Sequence, residues 1–439
     1  MASKTDRVFA NDPRFFGETD SETVQNAIDY ASAHGIGKVL IPFENERAGT
    51  DVWIIDRAVL LPSRLTVELD GARLRLADGV RDNIFRNQNG CTEIGRTVEG
   101  EQRDIHIVGK NGATLDGGKP NGMSERLCRE HPGEYPSMKV NLLVWFFNVR
   151  DFSLEGLRIV ESRWWAVCFH FCRQGLLSDL DFQMDASLRN RDGIDLRIGC
   201  EDITIRNITG LTGDDTIALS ALADVGLDGK LLTVEGKSDD IKNVTIRNLR
   251  AASCGCALVR LLNEDGYVLR NIVIDGVEDT GETISAAAIR FGEGNTRYAA
   301  NKGREMGEFS DVVVRNVRTS AQYALIFGEP TRNVTVDHVQ GTGCCRVLAG
   351  FCANFVAENV RLSDLSIRND SSADCVFFVE KGAETEGCRI ENVTVGGAEY
   401  LFRGKKTAVS GWRFEGETPR EHTPESPSFP SAYGLYIRD

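Results

Sequence analysis

Two short segments of the chain concentrate carboxylates beside glycine: Asn190-Arg191-Asp192-Gly193-Ile194-Asp195 and Thr212-Gly213-Asp214-Asp215-Thr216-Ile217-Ala218-Leu219. Each stands at the head of an apolar run, where a purely structural repeat would accept almost any polar residue. Asp192 precedes Asp214 by 22 residues. In a chain that coils with that period, the two positions fall on adjacent strands, about 5 Å apart at the backbone. Carboxylates crowded that closely push at least one pKa upward. An acid kept protonated beside an ionised partner is what hydrolysis of a glycosidic bond requires. A single Asp next to Gly is more often a turn residue, but a double Asp one coil beyond another tilts the reading toward chemistry. Asp192, Asp214 and Asp215 are therefore the candidate catalytic residues.

Strand parity nominates their neighbours. Asp195 and Arg197 alternate outward on the strand that follows Asp192, and Arg260 falls on the coil after the double Asp. Arg260 and Arg290 suit an acidic sugar or a pair of hydroxyls, because a guanidinium binds in bidentate fashion. Solvated arginine on a polar face explains them equally well. His170 lies on the coil before Asp192 and is the one histidine placed to act as acid or base, although a lone His is more often structural. Trp165, with Trp164 beside it, offers a ring for a sugar to stack on, or else fills the wall of a groove.

The elements that must position these residues are legible as a repeat. A β-branched run, a charged residue, Asn and an aliphatic residue recur in Ile203-Thr204-Ile205-Arg206-Asn207-Ile208, Val244-Thr245-Ile246-Arg247-Asn248-Leu249, Val312-Val313-Val314-Arg315-Asn316-Val317 and Leu365-Ser366-Ile367-Arg368-Asn369. Looser copies surround Asn271, Asn333 and Asn392. Intervals of about 22 to 40 residues mark a solenoid. The alternation within each copy is that of a strand. Too little sequence separates the runs for crossover helices. The pattern predicts an all-β fold, a single-stranded right-handed parallel β-helix, with Asn stacked on Asn in a ladder along the corners. A β-sandwich or propeller is the alternative, and blade signatures are missing.

Solenoid ends need covers. Ser21 to His34 predicts an amphipathic capping helix with Ser21 as N-cap, Val24, Ala27, Ile28 and Ala31 on one face and Gly35 as the stop. The expected organisation is one domain over 1–439: a cap region 1–50, coils 51–415, and a tail 416–439 rich in Pro, Ser and Glu. The stretches 118–138, 224–240 and 292–308 read as loops, the first and last walling a groove.

Composition narrows the partners. The 439 residues are 41% hydrophobic and 26% charged, with a net charge of −14. No apolar run approaches the ~20 residues that span a bilayer, and the acidic balance argues against nucleic acid. The polar start, Met1-Ala2-Ser3-Lys4, lacks a signal-peptide core, so the expected location is cytoplasmic. The 12 cysteines sit mostly in apolar runs and read as small hydrophobes. Cys254-Gly255-Cys256 and Cys344-Cys345 lack a matching second pair, so neither a metal nor another cofactor is expected. A carbohydrate is the expected partner, and a homo-oligomer is left open.

Asn190-Arg191-Asp192 and Gly213-Asp214-Asp215 resemble the Asn-Thr-Asp and Gly-Asp-Asp segments of the polygalacturonases, glycoside hydrolase family 28, within the pectin-lyase-like right-handed β-helix superfamily. The stretch from Ser162 to Cys172 and the helix after Gly17-Glu18-Thr19-Asp20 are also similar to that superfamily. The resemblance implies Asp214 as the general acid, with Asp192 and Asp215 activating water for inverting attack. Where the family carries Gly-His-Gly this chain has Ser253-Cys254-Gly255-Cys256, and where it carries Arg-Ile-Lys this chain has Ile289-Arg290-Phe291-Gly292. These departures point to a relative acting on another glycan. A lyase, epimerase or intramolecular transferase on the same fold, and a binding β-helix without activity, are the competing expectations.

Overall fold

The structure, a computed structural model, describes residues 7–135, 137–263, 266–292 and 305–423. Most of the expected 292–308 loop and the tail beyond 423 therefore lie outside the described residues. The fold is a right-handed parallel β-helix, as the repeat predicts. The chain falls into two compact units: residues 1–185, 190–209 and 223–239 form the first, and 186–189, 210–222 and 240–439 the second.

In the first unit three parallel stacks of strands make the coils. One runs through Lys38–Pro42, Leu65–Asp70, Gln102–Lys110, Val149–Glu155 and Arg173–Gln183. A second runs through Val59–Leu61, Phe85–Asn87, Val144–Phe147, Val167–His170 and Ile194–Arg197. The third joins Val52–Ile55, Arg73–Leu76, Thr114–Asp116 and Arg158–Val160. The helix Asp20–Ala33 packs on the first coil and buries Val24, Ala27, Ile28 and Ala31 completely. Its cap differs from expectation. Thr19, not Ser21, is the N-cap and accepts from the Glu22 N–H at 3.2 Å. Ser21 is buried in the first turn, where its Oγ accepts from the Asp56 N–H at 2.9 Å and ties helix to coil.

In the second unit Ile217–Ala221, Ala257–Asn263, Ala287–Phe291, Tyr323–Phe327 and Val347–Phe351 stack in parallel. Beside them run the longer strands Ile241–Ser253, Leu269–Asp279, Phe309–Thr319 and Thr331–Thr342. The repeated phrase keeps its register: Val244, Ile272, Val312, Val334 and Val360 are successive partners, all buried. Stacked rings fill the same interior, with Phe291 on Phe327 at 4.5 Å and Phe327 on Phe351 at 5.3 Å between centroids.

The recurring Asn has a backbone cause as well as a hydrogen-bonding one. Asn248, Gly276, Asn316, His338, Asp364, Asn392 and Gly411 occupy corresponding places on successive strands, and every one has a positive φ. The corner demands the left-handed conformation, which Gly enters freely and Asn and Asp tolerate. A neighbouring row does form the ladder: Asn271 donates to Asn243 at 2.6 Å, and Asn359 donates to Asn333 at 2.8 Å.

Candidate active site

Gly213-Asp214-Asp215 sits in the turn that opens the strand Ile217–Ala221, in the second unit. That turn is clamped through its backbone, because the hydroxyls of Thr212 and Ser253 both donate to the Asp214 carbonyl, at 2.7 and 2.8 Å. The next coil supplies the partners of Asp215. Its Oδ1 accepts from the Ala257 N–H at 2.9 Å, and its Oδ2 pairs with Arg260 Nε at 2.9 Å. Both ends of this ion pair are almost fully buried, so Asp215 is held in one orientation.

Asp214 fares differently. Burial, and then the charge of Asp215, push its carboxyl up to about 6, while a hydrogen bond from Cys256, the Arg260 charge and the Asp215 N–H pull the other way. A carboxylic acid whose proton is held to about pH 6, beside a partner fixed by Arg260, can donate that proton to a leaving oxygen.

Asp214, Asp215 and Cys256 present their ligand atoms within 4.8 Å of one another, a spacing a metal would accept. The Arg260 guanidinium already sits against Asp215, however, and its positive charge opposes a cation there. An exposed group, Asp337 with His338 and Asp364, is equally compact, but Asp337 is committed to His338 at 2.6 Å and to Ser363 at 2.7 Å.

Arg260 and Arg290 are partners in register on neighbouring strands, each 7% exposed. Arg260 is thus a holder of Asp215 as well as a candidate sugar ligand, and Arg290 Nε donates to the Gly292 carbonyl at 3.2 Å.

The first unit holds the other expected residues. Asp192 is 2% exposed, and its carbonyl accepts from the Ala166 N–H at 2.9 Å. Its flanking residues fix the turn: Asn190 donates to Glu125 at 2.7 Å, and buried Arg191 pairs with Glu161. Asp195 has no exposed surface, which leaves it nothing to offer a substrate. His170 is likewise fully buried. Its Nδ1 accepts from the Trp145 indole at 3.2 Å and its Nε2 faces Asp224 at 2.9 Å. Burial pulls it down to about 4 against the opposing pull of Asp224, so the ring is neutral and shut away from solvent. The strand parity that pointed it outward is real, but the 224–240 segment covers that face.

Asp224 is the residue that sequence reasoning missed. Lys139 Nζ at 2.6 Å, His170 Nε2 at 2.9 Å and Arg197 Nε at 3.3 Å converge on its carboxylate. Burial alone would raise it, yet Lys139, Arg197 and His170 hold it well below the usual carboxylate range. Nearby Leu232 and Val234 join Trp145, Trp164 and Cys168 in an apolar cluster. The segment 224–240 is therefore a packed strap rather than a free loop. Arg197 also lies over the Trp165 ring, 5.0 Å from its centroid, while Trp164 stacks on that ring at 3.8 Å. With those two neighbours against it, Trp165 serves the wall rather than offering an open platform. A lone Asp and a lone Lys 85 residues apart carry no spacing signal that could have announced their pairing.

Cys168, Cys172, Cys200, Cys345, Cys352 and Cys375 are buried, as small apolar side chains would be. Among the described residues no helix is long and apolar enough to cross a membrane.

Comparison with known proteins bears on both fold and site. No curated protein matches the chain. Among solved structures the chain is similar to the A-module of the mannuronan C-5 epimerase AlgE6 of Azotobacter vinelandii, at 13% identity, covering 94% of this chain and 100% of the module with a TM-score of 0.55. It is similar to a tailspike protein of an E. coli bacteriophage, solved with a pentasaccharide, at 13% identity, 94% and 79% coverage and a TM-score of 0.55. An exopolygalacturonase of Thermotoga maritima aligns at 12% identity, 95% and 92% coverage and a TM-score of 0.48. The segment 85–229, which contains Asp192, Asp214 and Asp215, matches the family model of glycosyl hydrolases family 28.

Proposed function

We propose that the protein is a glycoside hydrolase acting on a poly- or oligosaccharide, with Asp214 as its general acid. One observation carries the reading: the Asp214 carboxyl is raised to about 6 next to an Asp215 that Arg260 and the Ala257 N–H hold in place. The family match over 85–229 supports it. In the reaction the Asp214 proton passes to the glycosidic oxygen as its bond to the anomeric carbon breaks. A water, deprotonated by a carboxylate, attacks that carbon from the opposite face and inverts it. Asp215 is oriented for the base role by its two fixed partners. Arg260 and Arg290, in register on neighbouring strands, favour an acidic sugar.

Arginines in register on neighbouring strands also suit elimination or epimerisation of a uronate, in which a carboxylate must be neutralised. Product analysis separates the readings. Incubation with a panel of acidic and neutral oligosaccharides is expected to give new reducing ends without ultraviolet absorbance, the first-formed anomer being inverted by proton NMR. An unsaturated, absorbing product would replace hydrolysis with elimination. No product from any member of the panel, together with unchanged ligand binding in Asp214→Asn, would leave a binding protein only.

A further inference from the structure

We propose that Cys256 is a positioning residue for the acid, its thiol donating a hydrogen bond to the Asp214 carboxylate and setting the rotamer from which the proton leaves. The inference rests on the reading of Asp214 as general acid and adds a residue that the reading does not need.

The segment Ser253-Cys254-Gly255-Cys256 at first reads as a lost histidine site. In the structure it wraps the acid pair. Ser253 Oγ holds the Asp214 carbonyl at 2.8 Å, the Cys254 N–H donates to the Thr212 carbonyl at 3.0 Å, and the Ala257 N–H meets Asp215 at 2.9 Å. Gly255, at φ 68°, turns the chain back between these anchors, a conformation that a side chain at this position would oppose. Cys256 is thereby fixed at both ends, and its sulfur lies within 4.8 Å of a carboxylate oxygen of Asp214 and of Asp215. It is half-buried, unlike the cysteines that fill the coils.

The charged and titratable groups facing Asp214 are Asp215 from its own turn, Cys256 from the turn of the next coil and Arg260 from the strand that follows. A thiol is a weak, neutral donor. A protonated imidazole at this place would add a full positive charge and hold the carboxyl ionised. The thiol steadies the carboxylate while leaving it able to keep its proton near neutral pH. The chemistry of this position thus selects the pH at which the acid works.

Two measurements on the full-length protein test this. The first is the pH dependence of kcat on whichever oligosaccharide of the panel is cleaved. Cys256→Ala is expected to move the basic limb upward by about half a pH unit or more and to lower kcat about threefold to tenfold, with Cys256→Ser returning toward wild type. A Cys256→Ala limb that coincides with wild type overturns the proposal and leaves the hydrolase reading standing. The second needs no substrate. Iodoacetamide alkylation of Cys256 at pH 7.5, read by peptide mass spectrometry, is expected to run about threefold faster or more in Asp214→Asn, because removing an adjacent carboxylate favours the thiolate. Equal rates in wild type and variant overturn the pairing whether or not any glycan is hydrolysed.

Discussion

Each compact unit contains a half-buried carboxylate beside charged partners, and the two end in opposite states. Asp224 has two cations, Lys139 and Arg197, together with the neutral His170, and it is held far below the usual carboxylate range. Asp214 lies beside Asp215, whose charge raises it further, has Arg260 as the cation that opposes this, and is raised to about 6. Burial raises both carboxyls, so the balance of positive and negative charge beside each decides the sign. A carboxylate with more positive than negative charge around it becomes a fastening. One with less becomes an acid in waiting, and it carries a standing electrostatic strain that a structural residue would have no reason to keep.

The sharpest way to break this contrast is to neutralise each carboxyl in turn. Asp214→Asn is expected to lower turnover by about 1000-fold, within the range a lost general acid produces, while stability above pH 6 stays level or rises by roughly 1–3 kcal/mol. Asp224→Asn is expected to do the reverse. Stranding Lys139 and Arg197 in a buried pocket costs about 3–5 kcal/mol, read as a drop in the denaturation midpoint. Asp224→Asn with undiminished stability would show that the strap is not fastened by charge, and Asp214→Asn with full turnover would remove the acid.

How much of this contrast the sequence announces follows from the range over which each signal is local. The repeat is local: a β-branched run and an Asn at each corner are written into every coil, so strands, their parallel stacking and the ladder are all readable. The double Asp is local too. The ring around Asp224 is not, since Lys139 comes from a stretch without periodicity and meets Asp224 only after the strap folds over the strands. Strand parity correctly turned His170 out of the core, but parity cannot tell an outward face open to water from one covered by another segment. Cys256 carried the wrong signal, a near-metal spacing to Cys254, and its place beside Asp214 needs the left-handed turn at Gly255. The helix cap slipped from Ser21 to Thr19 because both hydroxyls suit the role, and only packing shows that Ser21 is wanted elsewhere.

The two clusters also titrate in opposite senses. His170 has a folded value of about 4 against an ordinary 6.5. The unfolded chain therefore binds more protons between those limits, and the stability of the neutral ring, complete above pH 6.5, is lost as pH falls toward 4. Asp214 is raised from 3.8 to about 6, so its contribution is complete below pH 3.8 and is lost as pH rises through 6. Each amounts to about 3 kcal/mol, and over the shared window they offset one another. Wild type is expected to show little net slope from this pair. Asp214→Asn is expected to unmask a rise of about 3 kcal/mol from pH 4 to 6.5, measured by urea titration at several pH values. A flat profile in that variant would mean that His170 is not held neutral by the fold.

The smallest expected effect probes the far side of the same ring. Trp145 is fully buried, and its indole N–H donates to His170 Nδ1 at 3.2 Å. That bond fixes the tautomer which presents Nε2–H to Asp224. Trp145→Phe keeps an aromatic in the apolar cluster but leaves Nδ1 only the weaker Cys168 thiol at 3.7 Å, a loss of about 1 kcal/mol for a buried acceptor. The freed nitrogen also accepts a proton more readily, so the folded value rises from about 4 toward 6.5, and the acid-side loss of stability is expected to be smaller and to level off at a higher pH than in wild type. Turnover should change less than twofold, because the first unit's cluster fastens the strap and moves no proton in the reaction. A loss of activity as large as that of Asp214→Asn would erase the division between a structural and a chemical carboxylate, and with it the argument that the balance of charge around them separates the two.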